Sequence, residues 1–413
     1  MDFEARMSFT TGAATMARME SYFNHTIGKH LRRSEQRASF ATYAFGLLSE
    51  GERKSVEPMA ARACGDPKQC RAVEEKLLRF ISLSPWSDRD VRNDAAKFAI
   101  DAISEREPVT TWIIDDTGFL KQGNHSVGVQ RQYTGSAGKV TNCQVAVSLS
   151  IASRTQHVPI DFELYLPESW NDDERRMKAR IPDDVTFKTK PELALEMIRR
   201  AHEAAIPGDL ALADSGYGHD SEFRNGIREL EMDDGVGIHG PAKVWCLDSL
   251  GRRRGDPISV QQLGIQLGAK AFRRYTWRDG TKQKLSSHFC FRRVKVANDD
   301  ETEAADREPV WLMIEWPQGE ERPAKFTLTT LPRQLSKKQI VRRIKERYRT
   351  EIAYEELKGE LGLDHFEGRS FPGWHHHVSV VLVCYAFVVS ERMRAFSPSP
   401  RWNCSTGSFA LAA

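Results

Sequence analysis

The sequence predicts a mixed α/β protein in which an all-β block interrupts an α/β core that follows a helical N-terminal region. Apolar residues recur at helical spacing before residue 105, β-branched and aromatic runs begin after Pro108, and strand-like alternation dominates residues 236–331. The 413-residue chain is long enough for more than one core. We therefore divide it into a helical region (1–105), the first part of the core (106–235), the β-rich insertion (236–331), the helical second part of the core (332–395) and a tail (396–413).

The helical region contains segments such as Ala41–Ser49 and Ala72–Ser82, whose apolar residues lie at helical spacing. Basic residues decorate it, among them Arg32, Arg33 and Arg37. A small helical domain with basic faces is either a DNA-binding module or a plain packing domain. The sequence leaves both interpretations open.

The core begins with Val109–Ile114, a β-branched and aromatic run that leads directly into Asp115 and Asp116. A hydrophobic strand that delivers carboxylates at its end places them at a site, because burying them within the strand would cost too much free energy. The alternative is a simple strand-to-turn transition, which also favours Asp. A second short strand, Asp209–Ala213, ends at Asp214 in the same way.

Two further strands, at 140–151 and 158–166, and an amphipathic helix, Leu193–Ala205, lie between these two aspartates. Three antiparallel strands, a helix and a further strand is the order of an RNase H-like core. That architecture holds carboxylates from its first and fourth strands side by side and receives a third from a later helix. Glu351 is the candidate for this third carboxylate.

The segment Lys337–Ser370 predicts that later helix, since it lacks Pro and is rich in Glu, Lys, Arg and Leu. Helical spacing puts Arg347, Glu351 and Lys358 on one narrow stripe. An ordinary surface ion pair between Arg347 and Glu351, worth about 0.3 kcal/mol, is the competing interpretation. Eight basic residues and a single acid occur from Arg333 to Arg349, among them Arg342 and Arg343, which indicates a polyanionic partner.

A glycine-rich loop adds candidate contacts to the backbone of a polyanion, and three tryptophans occur in the insertion. The loop Gly123–Gln144 is polar and, with a lysine just before it, carries the cations Lys121, Arg131 and Lys139. Within the insertion, packing in the strand core is favoured over exposed stacking for the tryptophans, which are Trp277, Trp311 and Trp316.

Cysteine usage and hydropathy predict a soluble cytoplasmic, nucleoid-associated protein with no membrane partner. The seven cysteines include no CxxC motif, which argues against a zinc site or a disulfide framework. The first nine residues lack the apolar core of a signal peptide. The longest apolar run, Val378–Val389, is too short to span a bilayer.

Together these segments resemble the DDE transposases of bacterial insertion sequences, in the branch marked by a Tyr-Arg-Glu-Lys signature. The signature Y-x2-R-x3-E-x6-K is matched at Arg347, Glu351 and Lys358, whereas Ile344 stands at the Tyr position. The motifs IIDDTGFLKQG, LALADSGYG and ELGLDHFEGRS carry the rest of the resemblance. It covers most of 109–394 and is weaker over the helical region.

The resemblance implies a metal site made by Asp115, Asp214 and Glu351, with Asp116 as the alternative first ligand. Strand alternation allows only one of the two adjacent aspartates to face inward, and the D-x-T pattern of the resembling families favours Asp115. The expected cofactor is Mg²⁺, with two ions bound and Mn²⁺ able to substitute. The expected DNA contacts are Arg347, Lys358, Lys121, Arg131, Lys139, Arg342 and Arg343.

The function implied by the resemblance is binding of transposon ends, metal-dependent strand cleavage, and strand transfer into target DNA. Two ends must be held together, so a homodimer or higher oligomer on DNA is expected. Two alternatives stay open at this point: a catalytically silent DNA-binding regulator, and a nuclease without strand transfer. The presence of all three acids disfavours the regulator.

Overall fold

The structure is a computed structural model, and it describes residues 12–64, 67–280, 284–297 and 308–395. The expected tail, most of the acidic loop at 298–308 and the first nine residues lie outside this part of the chain. The helices are α1 (Ala13–Ser21), α2 (Ser34–Leu48), α3 (Val56–Ala63), α4 (Pro67–Leu83), α5 (Asp88–Ser104), α6 (Asp173–Ala179), α7 (Lys190–Glu203), α8 (Ser215–Gly218), α9 (Ser221–Glu229), α10 (Val260–Leu267), α11 (Lys337–Ile344), α12 (Arg349–Gly359) and α13 (Phe371–Ala395). None of the helices within these ranges combines the length and the apolarity needed to cross a membrane.

All the strands join one twelve-stranded sheet. They are β1 (Thr111–Leu120), β2 (Gln130–Thr134), β3 (Lys139–Ala152), β4 (His157–Tyr165), β5 (Leu210–Ala213), β6 (Asp233–Ile238), β7 (Lys243–Leu247), β8 (Arg253–Ser259), β9 (Arg273–Asp279), β10 (Lys284–Ala297), β11 (Val310–Trp316) and β12 (Lys325–Thr329).

The core strands lie in the order β4-β3-β1-β5-β6, with β1, β3 and β4 antiparallel and β5 and β6 parallel to β1. This is the strand order and direction of an RNase H-like fold, so the predicted fold class is confirmed. Strand β2 was not predicted, because its sequence, QRQYT, is too polar to show apolar alternation. It pairs with the first residues of β3 to form a hairpin.

The insertion continues the core sheet instead of forming a sheet of its own. Strand β12 pairs antiparallel with β6, and β11, β10, β7 and β8 follow outward, while β9 pairs with β10. The expectation of a purely β insertion is wrong in one respect, since the insertion also contains α10. The hydroxyl oxygen of Ser259 accepts a hydrogen bond from the main-chain N–H of Gln262 and so caps this helix.

The N-terminal helices pack against α13, at the other end of the chain, and share its hydrophobic core. The ring of Tyr22 stacks on Phe98 with centroids 3.9 Å apart and on Phe387 at 6.1 Å. Two buried histidines join the same contact: Nδ1 of His376 bonds to the carbonyl of Ile81 at 2.7 Å, and Nδ1 of His377 lies 2.8 Å from the Tyr43 hydroxyl. These contacts give the helical region a packing role.

Candidate active site

Strand β1 presents its two adjacent aspartates to opposite faces of the sheet. Asp115 faces the turn that precedes α12, where Nη1 of Arg347 donates a hydrogen bond to Oδ2 at 2.7 Å. Asp116 faces the other side, where Nζ of Lys190 lies 2.7 Å from its Oδ2 and the hydroxyl of Tyr217 lies 3.4 Å away. The alternation of a β-strand therefore separates the two candidates for the first ligand.

The expectation that the first strand ends at these aspartates is wrong. Strand β1 continues to Leu120, because it pairs without interruption with β3, from Thr111 opposite Ala152 to Leu120 opposite Cys143. What ends is the pairing on its other edge. Strand β5 pairs with β1 only as far as Ile113, which lies opposite Leu212.

The parallel register of β1 and β5 brings Asp115 and Asp214 to the same level of the sheet. Ile113 lies opposite Leu212, and each aspartate follows two residues later in the chain. Asp214 leaves β5 to cap α8, and its Oδ1 accepts the main-chain N–H of Gly216 at 2.8 Å. Both carboxylates therefore stand at the edge where β5 gives way to α8.

The pKa of Asp115 reflects its burial and the charges around it. Burial raises the pKa of Asp115 to about 7, the guanidinium of Arg347 opposes that rise, and the nearby charge of Asp214 adds to it. A strongly perturbed carboxyl beside a second carboxyl marks a candidate functional site.

Hydrogen bonds hold helix α12 against this face of the sheet. The hydroxyl of Tyr354 lies 2.5 Å from Oγ of Ser148, and Ser148 is the cross-strand neighbour of Asp115. Nζ of Lys358 donates to the carbonyl of Gly118 at 2.8 Å. Together with the bond from Arg347 to Asp115, these contacts hold one side of the helix against β1 and β3.

Glu351 lies three residues before Tyr354 and seven before Lys358 in α12, so helical spacing puts it on that same side of the helix. Its side chain is exposed, and it makes no hydrogen bond or ion pair with the residues that the structure describes. Over the same ranges, no three His, Cys, Asp or Glu side chains are arranged to hold a metal ion. Asp115 and Asp214 are thus brought together, while Glu351 stands on the adjacent helix without closing a three-carboxylate cluster.

The uninterrupted helix predicted over the first two-thirds of 337–370 is wrong. A 3₁₀ turn, Lys345–Tyr348, separates α11 from α12. Helix α11 packs where the core meets the insertion, because Ile340, Val341 and Ile344 join an apolar cluster that contains Leu210 and Leu212 of β5 as well as Phe289 of β10. Helix α12 packs on β1 and β3 through Lys358 and Tyr354. The turn between the two helices carries Arg347.

Of the other predicted DNA contacts, two are exposed and the rest are partly buried or paired within the protein. Arg131 and Lys139 are exposed on the β2–β3 hairpin. Lys121 donates to the carbonyl of Phe366 at 2.6 Å, and burial lowers its pKa. Arg343 pairs with Asp209, and Arg342 is half-buried on α11.

The insertion tryptophans belong to its packing, as the sequence favours. Nζ of Lys337 lies 3.0 Å from the ring centroid of Trp311, and Nζ of Lys345 lies 4.9 Å from that of Trp277. Trp316 meets Phe272 edge-on at 5.4 Å.

Sequence reasoning missed Tyr354 and Ser148 as supports of the site. The offset of three residues between Glu351 and Tyr354 is a usable signal, because it puts Tyr354 on the same side of the helix. Ser148 carries no such signal, since only the register of β3 against β1 brings it opposite Asp115.

Comparison with known proteins finds similarity to a protein family, to a curated protein and to a solved structure. A family model described as DDE superfamily endonuclease matches residues 26–284. A probable transposase for insertion sequence element IS701 from Microchaete diplosiphon is 29% identical over 203 residues, which are 49% of this chain and 49% of that protein. The chain thus spans about half the length of this curated relative. A cryo-EM structure of the piggyBac transposase synaptic complex with hairpin DNA aligns with a TM-score of 0.45 at 10% identity, over 96% of this chain and 76% of that one.

Proposed function

We propose a function from the premise that the chain belongs to the DDE superfamily endonuclease family. The protein is a transposase of a bacterial insertion sequence, which binds the ends of its element, cuts DNA there and transfers the cut strand into target DNA. The observation that most supports this is the parallel register of β1 and β5, which sets Asp115 level with Asp214. Similarity to the probable IS701 transposase supports the same function.

Membership of this family implies a divalent metal in general, and the donor set here fits one. Asp115 and Asp214 offer hard carboxylate oxygens, and Asp115 already attracts the cation Arg347. Glu351, exposed on the side of α12 that carries Tyr354 and Lys358, is the proposed third ligand. We assign Mg²⁺, with two ions at the site and Mn²⁺ as a substitute. Bound metal supplies an activated water and stabilises charge on the attacking and leaving oxygens.

The cations beside the carboxylates bind the DNA backbone. Arg347 sits next to Asp115, and Lys358 lies further along the same helical stripe. Each offers several N–H donors to phosphate oxygens, and the planar guanidinium of Arg347 binds two oxygens at once. These two side chains therefore position the scissile phosphate over the carboxylates.

The partners that follow are transposon-end DNA and target DNA. Two ends must be cut and joined in one assembly, so the active species is a homodimer or a higher oligomer on DNA. The cations of α11 and of the β2–β3 hairpin add further contacts to DNA.

Single alanine substitutions of Asp115, Asp214 and Glu351 test this proposal, with Asp116→Ala as the matched control. Each of the three removes a ligand worth several kcal/mol, so we expect cleavage of a labelled duplex from the element's own end in Mg²⁺ to fall by about 10³-fold or more. Asp116→Ala, which alters the other face of the same strand, should lose less.

DNA affinity is measured in parallel in Ca²⁺, which takes the same oxygen ligands with looser geometry. We expect all four variants to bind as tightly as the wild type, or more tightly, because a negative charge near phosphate is removed. Wild-type protein that binds ends yet never nicks them in Mg²⁺ or Mn²⁺ would contradict the proposal. So would full activity of Glu351→Ala.

A further inference from the structure

The β2–β3 hairpin curls back onto the catalytic face of β1. Oγ of Ser136, in the hairpin turn, accepts the main-chain N–H of Gly118 at 3.2 Å and Nζ of Lys358 at 3.3 Å. It also lies 3.4 Å from Oγ1 of Thr117. Thr117 is two residues from Asp115 on the same face of β1, so the hairpin turn is an immediate neighbour of the candidate active site.

Glycine makes this close approach possible. On the opposite face of β1, to which strand alternation assigns Gly118 together with Asp116, a Cβ atom at Gly118 would lie 1.9 Å from Oγ1 of Thr134, a buried side chain at the end of β2. At the turn, Gly138 adopts a φ of +62°, which other residues rarely tolerate. These two glycines therefore permit the hairpin to lie against β1.

One face of the hairpin presents an aromatic ring to solvent. Tyr133 is 65% exposed, and its cross-strand partner, Val140, is exposed as well. Tyr133 is the one aromatic residue among the large hydrophobic side chains that are exposed within the described ranges. Thr134, the next residue in β2, faces β1, so strand alternation turns Tyr133 away from β1. The exposed pair therefore lies on the outer face of a hairpin whose turn contacts β1 beside Asp115.

The charge of this region identifies the partner. No Asp or Glu occurs between Asp116 and Asp161, although the chain contains 57 of them. The hairpin itself carries Arg131 and Lys139, both exposed. Arg131 and Tyr133 are two residues apart in β2 and therefore share a face. An exposed ring beside cations, in a segment free of carboxylates, suits a polyanion that has flat rings of its own.

We propose that the hairpin is a binding arm for an unpaired strand of DNA next to the active site. A base stacks on the ring of Tyr133 and packs against Val140, and Arg131 holds the adjoining phosphate. This inference rests on the proposed function only in taking DNA as the bound polymer. It adds a single-stranded segment to the substrate and assigns the residue that recognises it.

The test compares Tyr133→Ala with a matched control, Leu250→Ala. Leu250 is 73% exposed in the turn between β7 and β8, at the opposite end of the sheet from β2. Binding to a labelled oligothymidylate and to a mixed-sequence duplex is measured by fluorescence anisotropy in Ca²⁺. We expect Tyr133→Ala to weaken oligothymidylate binding about 5- to 100-fold, with a much smaller loss on duplex. Tyr133→Phe keeps the stack and should bind like the wild type, as should Leu250→Ala.

The salt dependence provides a second measurement. Arg131→Ala should lower the slope of log affinity against log salt on oligothymidylate by about 0.7, the value for one phosphate bound on a single strand. Equal oligothymidylate affinity of Tyr133→Ala and wild type would overturn the proposal, as would equal losses on oligothymidylate and duplex. A smaller sedimenting mass of DNA-free Tyr133→Ala with unchanged DNA affinity would also overturn it, because the hairpin would then contact a second copy of the chain.

These outcomes are distinct from failure of the proposed function. If Tyr133→Ala loses single-strand binding while the carboxylate variants show no defect in cleavage, the hairpin proposal stands and the transposase proposal fails. If cleavage depends on the carboxylates while Tyr133→Ala binds normally, the hairpin proposal alone fails.

Discussion

Strands β1 and β4 flank β3 on its two sides, and each carries a carboxylate that is shielded from solvent to about the same extent. The side chain of Asp115 on β1 is 14% exposed and that of Glu163 on β4 is 13% exposed. Glu163 lies 2.7 Å from Nη2 of Arg200 and 3.4 Å from Nε2 of His375. Asp115 receives a guanidinium hydrogen bond from Arg347 but also faces the carboxylate of Asp214.

The two carboxyl groups titrate in opposite directions as a result. Burial raises the pKa of both, but at Glu163 the hydrogen bond from His375 and the charges of Arg92 and Arg200 bring the pKa well below its usual range. At Asp115 burial and Asp214 outweigh Arg347, and the pKa rises to about 7. The two carboxyl groups are equally buried, so the difference in pKa comes from the charges around them.

Arg92 and Arg200 form ion pairs with Asp161 and Glu163 of β4, and we call these four residues the β4 cluster. Removing Arg92 from it should give the largest loss of stability. Arg92 bonds to Asp88 at 2.7 Å and to Asp161 at 2.8 Å and is itself almost fully buried. Arg92→Met leaves these carboxylates short of a cation, so we expect the free energy of unfolding in urea to fall by about 3–5 kcal/mol. Asp115→Asn, which removes a poorly compensated charge, should leave it unchanged or raise it at pH 8. Equal losses in both variants would contradict the comparison.

The pH dependence of stability should separate the same two carboxylates. Asp115 has a folded pKa of about 7, above its unfolded value, so the folded state keeps its proton longer and stability falls as pH rises from about 4 to 7. The pKa of Glu163 is lowered, so its contribution is present above about pH 4 and is lost below it.

Urea unfolding in EDTA measures this difference. The advantage of Asp115→Asn over wild type should grow by about 2–4 kcal/mol between pH 4 and pH 7. Glu163→Gln should instead lose ground to wild type as pH rises through the unfolded pKa of Glu163. If the free energies of unfolding of wild type and Asp115→Asn change in parallel with pH, Arg347 fully compensates the negative charge of Asp115, and the prediction is wrong.

Removing the cations beside Asp115 should weaken DNA binding more than it lowers the free energy of unfolding. The double variant Arg347→Ala/Lys358→Ala should bind end duplex about tenfold more weakly and lower the salt slope by about 0.9 for each phosphate that is no longer neutralised. Arg92→Met, which alters the β4 cluster, is the comparison variant and should keep the wild-type slope. An unchanged slope in the double variant would restrict Arg347 and Lys358 to their internal bonds with Asp115 and Gly118.

The smallest effect on the free energy of unfolding is expected from an exposed ion pair. Arg71 and Glu75 are four residues apart on α4, and their side chains meet at 3.3 Å in solvent. Arg71→Ala should change the free energy of unfolding by less than about 0.5 kcal/mol, because solvent screens the pair. A loss as large as that of Arg92→Met would mean that burial does not govern these pairs.

Local patterns in the sequence determined the order of elements and the identity of the carboxylates. The runs before Asp115 and Asp214 are apolar because both strands are buried in the middle of the sheet, and such runs are visible without a structure. Helical spacing likewise put Arg347 and Lys358 on one stripe, and both contact β1. From these features the RNase H-like core follows, and it is confirmed.

Only the tertiary structure decided which backbone edges pair and where chain segments turn back. The register that sets Asp115 level with Asp214 and the pairing of β6 with β12 depend on hydrogen bonds between distant segments, which no local period encodes. The 3₁₀ turn between α11 and α12 is likewise invisible in the helical spacing of the segment. The curled hairpin depends on Gly118, because the absence of a side chain there lets Thr134 approach β1. A glycine in the sequence does not by itself predict that contact.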